Sequence, residues 1–109
     1  MPMHKAQHIL VVEDEKPLRE YVSRNLSARG FQVSTAANGL EALAIFNNDS
    51  LDLIILDVMM PHMDGLETCR RIRQTSTIPI IVLTALDEDA VDLPPLCFAE
   101  TRAGLPLGR

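Results

Sequence analysis

Residues 51–65, LDLIILDVMMPHMDG, carry an apolar run into an aspartate and then into a loop that contains proline and glycine. A short continuous apolar run of this kind is typical of a strand that is buried on both faces, as in a parallel sheet. The run ends at Asp57, so a buried strand delivers a carboxylate at its end. The stretch therefore predicts both the class of sheet and a polar group that needs a partner.

Segments on both sides of this stretch alternate between strand-like runs and helical spacing. The strand-like runs are HILVV (8–12), FQVSTAANG (31–39), DLIILD (52–57) and IPIIVLTA (78–85). Apolar residues recur at helical spacing after Pro17, after Leu40 and after Gly65, and Gly30 is a suitable stop for the first helix. Such alternation predicts parallel strands joined by right-handed crossovers, with helices on both faces of the sheet.

Composition indicates one soluble unit. At 109 residues and 47% hydrophobic content, the chain is long enough for one domain with a modest core. The formal net charge of -5 and the lack of a long Lys/Arg run argue against direct binding of nucleic acid or an acidic membrane surface. Two cysteines are too few for a disulfide framework, and no apolar run approaches the ~20 residues that span a bilayer. We therefore expect a cytoplasmic protein without a membrane segment.

Acidic residues follow two of the predicted strands. Glu13 and Asp14 come directly after the first strand, and Asp57 ends the third. In an open parallel sheet ligands bind beyond the carboxyl ends of the strands. If these strands are neighbours, ~4.8 Å apart, unit charges ~5 Å apart repel by roughly 3 kcal/mol at an effective dielectric of 20. We therefore expect either a shared proton or a bound cation.

An all-oxygen site that is open to water favours a hard ion, and we expect Mg²⁺ before Mn²⁺ or Ca²⁺. The hydroxyl of Thr84, at the end of the fourth strand, is expected near the same edge of the sheet. Each feature also has a simpler interpretation, since an acidic pair after a strand often only begins a helix and a lone aspartate is often a turn residue. His62 is interpreted as a solvated loop residue. The conjunction at successive strand ends favours the functional interpretation.

Three segments, ILVVEDE, DLIILDVMMPHMDG and IPIIVLTA, resemble the signature segments of the receiver domain of bacterial two-component response regulators, over about residues 8–86. The resemblance implies a flavodoxin-like, doubly wound α/β fold with a parallel sheet. It also implies that Asp57 is the phosphoacceptor, that Asp14 and Asp57 bind Mg²⁺ directly, and that Glu13 binds it directly or through water. The main-chain carbonyl of Met59 completes the implied metal ligands.

The same resemblance implies roles for two residues after the fourth strand and for a partner. Thr84 is expected to bind the phosphoryl group and to move with it as a switch, and the small Ala85 to leave room for the phosphate. A histidine kinase or phosphotransfer protein is the implied phosphodonor.

The last part of the chain departs from this pattern. After about Ala90 the sequence has several prolines and glycines and no sustained period, which makes helices and central strands improbable. We therefore predict an extension at 1–7, a receiver-like domain at 8–86 and an atypical Pro/Leu-rich tail at 87–109. The predicted sheet order is 2-1-3-4, with the fifth strand and last helices missing or replaced. We expect one of two arrangements: the tail packs irregularly on the exposed sheet face, or a homodimer covers that face or the exposed edge of strand four.

The sequence leaves three functions open. The family has a lysine after its fifth strand, whereas no lysine follows Lys16 here. The leading hypothesis is a phosphoacceptor module with self-catalysed phosphotransfer at most, and not an enzyme. The alternative is a degenerate receiver that acts only in protein interaction. A remote alternative is a Mg²⁺-dependent aspartyl phosphatase, which would need a second acid-base aspartate where Met59 stands.

Overall fold

The computed structural model describes residues 6–57, 65–84 and 97–101. The strands are β1 (His8–Val12), β2 (Gln32–Ala36), β3 (Leu53–Asp57), β4 (Ile80–Thr84) and β5 (Cys97–Thr101). The helices are α1 (Lys16–Ala28), α2 (Gly39–Asn48) and α3 (Gly65–Arg73). None of these described helices combines the length and apolar character that crossing a bilayer requires.

All of the strands pair in parallel in one sheet of order β2-β1-β3-β4-β5. The predicted flavodoxin-like class and the order 2-1-3-4 are therefore confirmed. In the register of β1 and β3, Val12 lies beside Leu56. Because both strands run in the same direction, the residues that follow Val12 and Leu56 emerge together at the carboxyl edge of the sheet.

The fifth strand corrects one prediction, because residues 97–101, CFAET, form β5 inside the supposedly irregular tail. β5 pairs with β4 from Ile80 beside Cys97 to Thr84 beside Thr101. Five residues suffice for a strand, and the two prolines at 94 and 95 precede the run and remove no ladder donor from it. β4 is thus an inner strand, so the proposed dimer loses one of its two arguments and remains a prediction. The prediction that the last helices are missing or replaced concerns residues outside those described.

The main core lies on one face of the sheet, where α2 and α3 pack. Along β3 the side chains alternate, so Ile54 and Leu56 are fully buried whereas Leu53 and Ile55 on the opposite face are half-buried. The core cluster comprises Leu10, Val12, Ala36, Ala42, Ile54, Leu56, Cys69, Ile72, Ile78, Ile80 and Val82. Each large side chain buried there stabilises the fold by about 1.5–3 kcal/mol relative to exposure.

The ends of the helices follow local rules that the sequence carries. Pro17 lies in the first turn of α1, and Gly30 follows its end with φ 96°, a left-handed conformation that favours glycine. At α2 the side chain of Asn38 accepts from the Glu41 amide at 2.9 Å, and Glu41 accepts in return from the Ala37 amide at 2.8 Å. This reciprocal cap orients α2 at the carboxyl edge of the sheet.

The buried ring of His8 secures the opposite edge of the sheet. Its two ring nitrogens contact the Ser50 carbonyl at 3.0 Å and the Ser34 hydroxyl at 2.7 Å. Its main-chain amide donates to the Asp52 carboxylate at 2.8 Å. These bonds join β1, β2 and the segment that leads into β3, so the strands that carry the acidic residues are held in register at their far ends.

Candidate functional site

The strands deliver two of the acidic residues to adjacent positions. Asp57 is the last residue of β3, and Glu13 directly follows β1, with its amide donating to the Ala36 carbonyl at 3.0 Å. Because Val12 and Leu56 are register partners, Glu13 and Asp57 leave the sheet side by side. The local cause is that apolar residues fill each strand and the first acidic residue comes at the carboxyl end of the strand, where Glu13 and Asp57 are still buried.

The carboxylates of Glu13, Asp14 and Asp57 form one group, which we name the acidic cluster. One oxygen from each lies within 4.8 Å of the others. Glu13 is 1% exposed and Asp57 is fully buried, whereas Asp14 is exposed. The acidic cluster therefore has a buried base and one side open to solvent, and the structure brings together all three of the acidic residues that the sequence singled out.

The start of α1 argues against the simpler interpretation of the acidic pair as a helix-initiating device. The N-cap of α1 is Glu15, whose side chain makes no capping bond. The Glu15 amide instead donates to Glu13 Oε2 at 3.0 Å. Glu13 and Asp14 lie before the cap, so their place in the acidic cluster is not explained by helix initiation alone.

Burial raises the pKa of the Glu13 carboxyl from 4.5 to about 8. The charge of Asp57 and hydrogen bonds with Asp57 and Asp14 raise it further, while the hydrogen bond from the Glu15 amide opposes the change. Without a cation, Glu13 therefore holds a proton at neutral pH. This is one of the two ways of neutralising the carboxylates that the sequence predicted.

The oxygen atoms of the acidic cluster also suit the second way of neutralising the carboxylates, which is a bound cation. Three carboxylates supply only oxygen ligands, and a hard divalent ion needs a small number of these together with water on an open side. A divalent ion would replace the Glu13 proton and balance most of the negative charge. The residues present thus fit Mg²⁺ as the sequence predicted.

The other predicted site residues lie partly or wholly outside the described part of the chain. The backbone of Thr84 ends β4 at the same edge as Asp57, where Leu83 is the register partner of Asp57, but the position of the Thr84 hydroxyl is not described. Met59, Ala85 and the loop residue His62 fall outside the described residues. Their roles remain predictions.

Arg19 is a residue that the sequence analysis missed. Its Nη1 donates to the Glu13 carbonyl at 2.8 Å and makes a longer contact of 3.5 Å with the Asp14 carbonyl. It lies one turn inside α1, since its own amide donates to the Glu15 carbonyl at 2.9 Å. A signal was present, because an arginine four residues after a helix N-cap can reach back over the turn that precedes the helix.

Comparisons with known proteins agree with this fold and site. The sequence model of the response regulator receiver domain family matches residues 9–93. A probable transcriptional regulator, ycf27, from Cyanidium caldarium is 53% identical over 88 residues, which cover 81% of this chain and 35% of that protein. The response regulator MprA from Mycobacterium sp. (strain KMS) is 50% identical over 80 residues, which cover 72% and 35%. The chain thus spans about a third of the length of these relatives.

Solved structures give the same result. The chemotaxis protein CheY4 from Vibrio cholerae superposes with a TM-score of 0.79 and 30% identity, over 94% of this chain and 91% of that one. The response regulator TrrA from Thermotoga maritima, solved in complex with Mg²⁺-BeF, has a TM-score of 0.76 and 37% identity over 88% of each chain. Both the sequence and the sheet topology therefore point to one family.

Proposed function

This chain belongs to the response regulator receiver family, and from that membership we propose that it accepts a phosphoryl group on Asp57 from a histidine kinase or phosphotransfer protein, with Mg²⁺ bound at the acidic cluster. The observation that carries the proposal is the convergence of Asp57 with Glu13 and Asp14 at the ends of neighbouring strands. The function is that of a two-component signalling switch.

In the proposed reaction, a carboxylate oxygen of Asp57 attacks the phosphorus of the donor phosphohistidine. A P–O bond forms as the P–N bond breaks, and the donor imidazole leaves with the electron pair and takes a proton from solvent. Asp57 suits this role because it ends the paired strand β3, which fixes the position of its backbone within the acidic cluster. The product is an aspartyl phosphate, and the protein completes only half of a reaction cycle.

Glu13, Asp14 and Asp57 would hold Mg²⁺, which when bound neutralises the carboxylates and the oxygens of the transferring phosphoryl group. The neutralisation matters here because Asp57 is fully buried beside Glu13, and an added phosphate would increase the local negative charge. The structure of TrrA contains Mg²⁺, which supports the same ion for this chain. Thr84, at the end of β4, is proposed to bind the phosphoryl group and to transmit its presence to the surface.

A second candidate is a receiver that binds partners without being phosphorylated. It is favoured by one observation, which is that no lysine follows Lys16 in the sequence. A fixed positive charge near a transferring phosphoryl group stabilises the charge of the transition state, so its loss should slow the transfer. The acidic cluster would then be retained for its fold or for metal binding alone.

Intact-mass analysis separates the two candidates. The chain is incubated with Mg²⁺ and acetyl phosphate, and the first candidate predicts an acid-stable, base-labile adduct of one phosphoryl group. Asp57→Asn should abolish the adduct, whereas the matched control Asp49→Asn, an exposed aspartate at the end of α2, should retain it. Omission of Mg²⁺ should also abolish it.

Other outcomes refute the proposal. An adduct that persists in Asp57→Asn would place the phosphoryl group on another residue. No adduct in the wild-type chain, despite measurable Mg²⁺ binding, would support the interaction-only candidate. Sustained release of phosphate from the donor would instead indicate the phosphatase that the sequence left as a remote alternative.

A further inference from the structure

Arg19 bonds to the backbone that carries two of the three clustered carboxylates. A single guanidinium nitrogen contacts the consecutive carbonyls of Glu13 and Asp14, at 2.8 and 3.5 Å. The Arg19 side chain is half-buried. These contacts join Arg19 to the main chain of two members of the acidic cluster.

The turn between β1 and α1 benefits from such a contact for a structural reason. Asp14 is exposed, and the N-cap Glu15 gives the turn no side-chain capping bond. The Glu15 amide is already directed to Glu13 Oε2, so the conformation of this turn decides where two carboxylates point. A turn with free rotation would have to be ordered whenever an ion binds, and that ordering lowers affinity.

An arginine suits this position better than other residues. Its planar guanidinium presents several N–H groups in a fixed geometry, and it can join two neighbouring carbonyls, whereas a lysine ammonium is a compact charge on a flexible stem. Arg24, on the same helix, is exposed and pairs with Glu20 at 3.6 Å, away from the acidic cluster. Arg24 therefore serves as a control: it carries the same charge on the same helix but does not contact the carbonyls of Glu13 and Asp14 as Arg19 does.

We propose that Arg19 is a positioning residue for the acidic cluster: by bridging the carbonyls of Glu13 and Asp14 it orders the turn that aims their carboxylates, and so raises the affinity for a divalent cation. The inference rests on the proposed function, since it concerns the metal site named there. It adds a residue that contacts neither metal nor phosphate and acts through the backbone of the ligands.

Binding of Mn²⁺ provides the test, because the electron paramagnetic resonance signal of free Mn²⁺ disappears when the ion binds. The full 109-residue chain is compared with Arg19→Gln, Arg19→Lys and the matched control Arg24→Gln. Loss of a residue that positions metal ligands typically weakens binding by about 10–100-fold, so we expect at least about tenfold weaker binding for both Arg19 variants. Arg24→Gln should stay within about twofold, since its charge lies further from the cluster.

A second measurement distinguishes positioning from a general loss of stability. Circular dichroism first establishes the temperature range in which every variant is folded, and all titrations are made there. Phosphorylation by acetyl phosphate should be slow in Arg19→Lys at limiting Mg²⁺ and should return to the wild-type rate at saturating Mg²⁺. A change in the saturated rate would instead mean that Arg19 acts on the transfer step, which would contradict the proposal.

The outcomes are distinguishable. If the wild-type chain binds Mn²⁺ and Arg19→Lys binds it with the same affinity, the inference is overturned and the proposed function is left intact. Tighter binding in Arg19→Gln with no change in Arg19→Lys would show that Arg19 acts only as a repelling charge, and this also overturns it. Failure of the wild-type chain to bind Mn²⁺ or Mg²⁺ overturns both the metal site of the proposed function and the inference built on it.

Discussion

Replacing Glu13 by glutamine should remove a pH-dependent destabilisation from the metal-free protein. Burial raises the pKa of Glu13 from 4.5 to about 8, and each pKa unit corresponds to about 1.4 kcal/mol. The folded state thus binds a proton that the unfolded state releases between these two pH values. Between pH 4.5 and 8 this residue alone should lower the free energy of unfolding by at most about 5 kcal/mol, a large part of the 5–15 kcal/mol typical of a domain.

The sign follows from the direction of the pKa change. A carboxyl whose pKa is raised on folding costs nothing below its unfolded pKa, where both states are protonated. Its cost grows as the pH rises toward the folded pKa, because the buried group must then either keep a proton that solvent would remove or ionise beside Asp57. In Glu13→Gln the side chain stays neutral at every pH, so this slope should vanish.

Urea denaturation followed by circular dichroism, in EDTA at pH 5, 6, 7 and 8, measures the effect. The difference in unfolding free energy between Glu13→Gln and wild type should increase steadily with pH, in favour of the variant. The exposed control Glu20→Gln, which removes only ion pairs with Lys16 and Arg24 on α1, should show no such trend. Equal slopes for wild type and Glu13→Gln would show that Glu13 is ionised in the folded protein and would refute the reasoning.

Other perturbations probe the metal, the core and a helix cap. Mg²⁺ affinity should rise by about one to two orders of magnitude from pH 6 to 8, because less of Glu13 then carries the proton that the ion must displace. Calorimetry in two buffers of different ionisation enthalpy should detect the released proton. Equal binding heats in the two buffers would contradict this prediction. Ile54→Ala, at a fully buried site, should cost about 2–5 kcal/mol in urea denaturation, whereas Leu40→Ala, 62% exposed, should cost less than about 0.5 kcal/mol. Asn38→Ala should cost about 1 kcal/mol through loss of the α2 cap, and an unchanged midpoint would mean that solvent replaces the cap.

Much of the fold follows from local patterns in the chain. The continuous apolar run of β3 and the helical spacing after Gly65 predicted their elements, and the structure has both. Pro17 and Gly30 predicted the two ends of α1, because one has the φ of a first helical turn and the other tolerates a left-handed conformation. Such signals depend on a few neighbouring residues, so they can be detected without knowledge of the rest of the molecule.

The formation of β5 could not be predicted in the same way. The run CFAET is short, and its surroundings contain prolines and glycines, so no local pattern distinguishes it from a loop. Its pairing depends on the row of donors and acceptors that β4 offers along its free side. That row exists only once β1, β3 and β4 have assembled, so the strand is a consequence of the sheet.

By itself, the sequence determined that acidic residues end the first and third strands of a parallel sheet, and it thereby identified Glu13, Asp14 and Asp57 as a candidate site. Only the tertiary structure decided how deeply Glu13 and Asp57 are buried, and hence that Glu13 keeps a proton when no cation is present. It also decided that Arg19 reaches the carbonyls of the turn. The physical reason is that strand periodicity is local, whereas burial, charge coupling and a side-chain bridge depend on which distant segments come into contact.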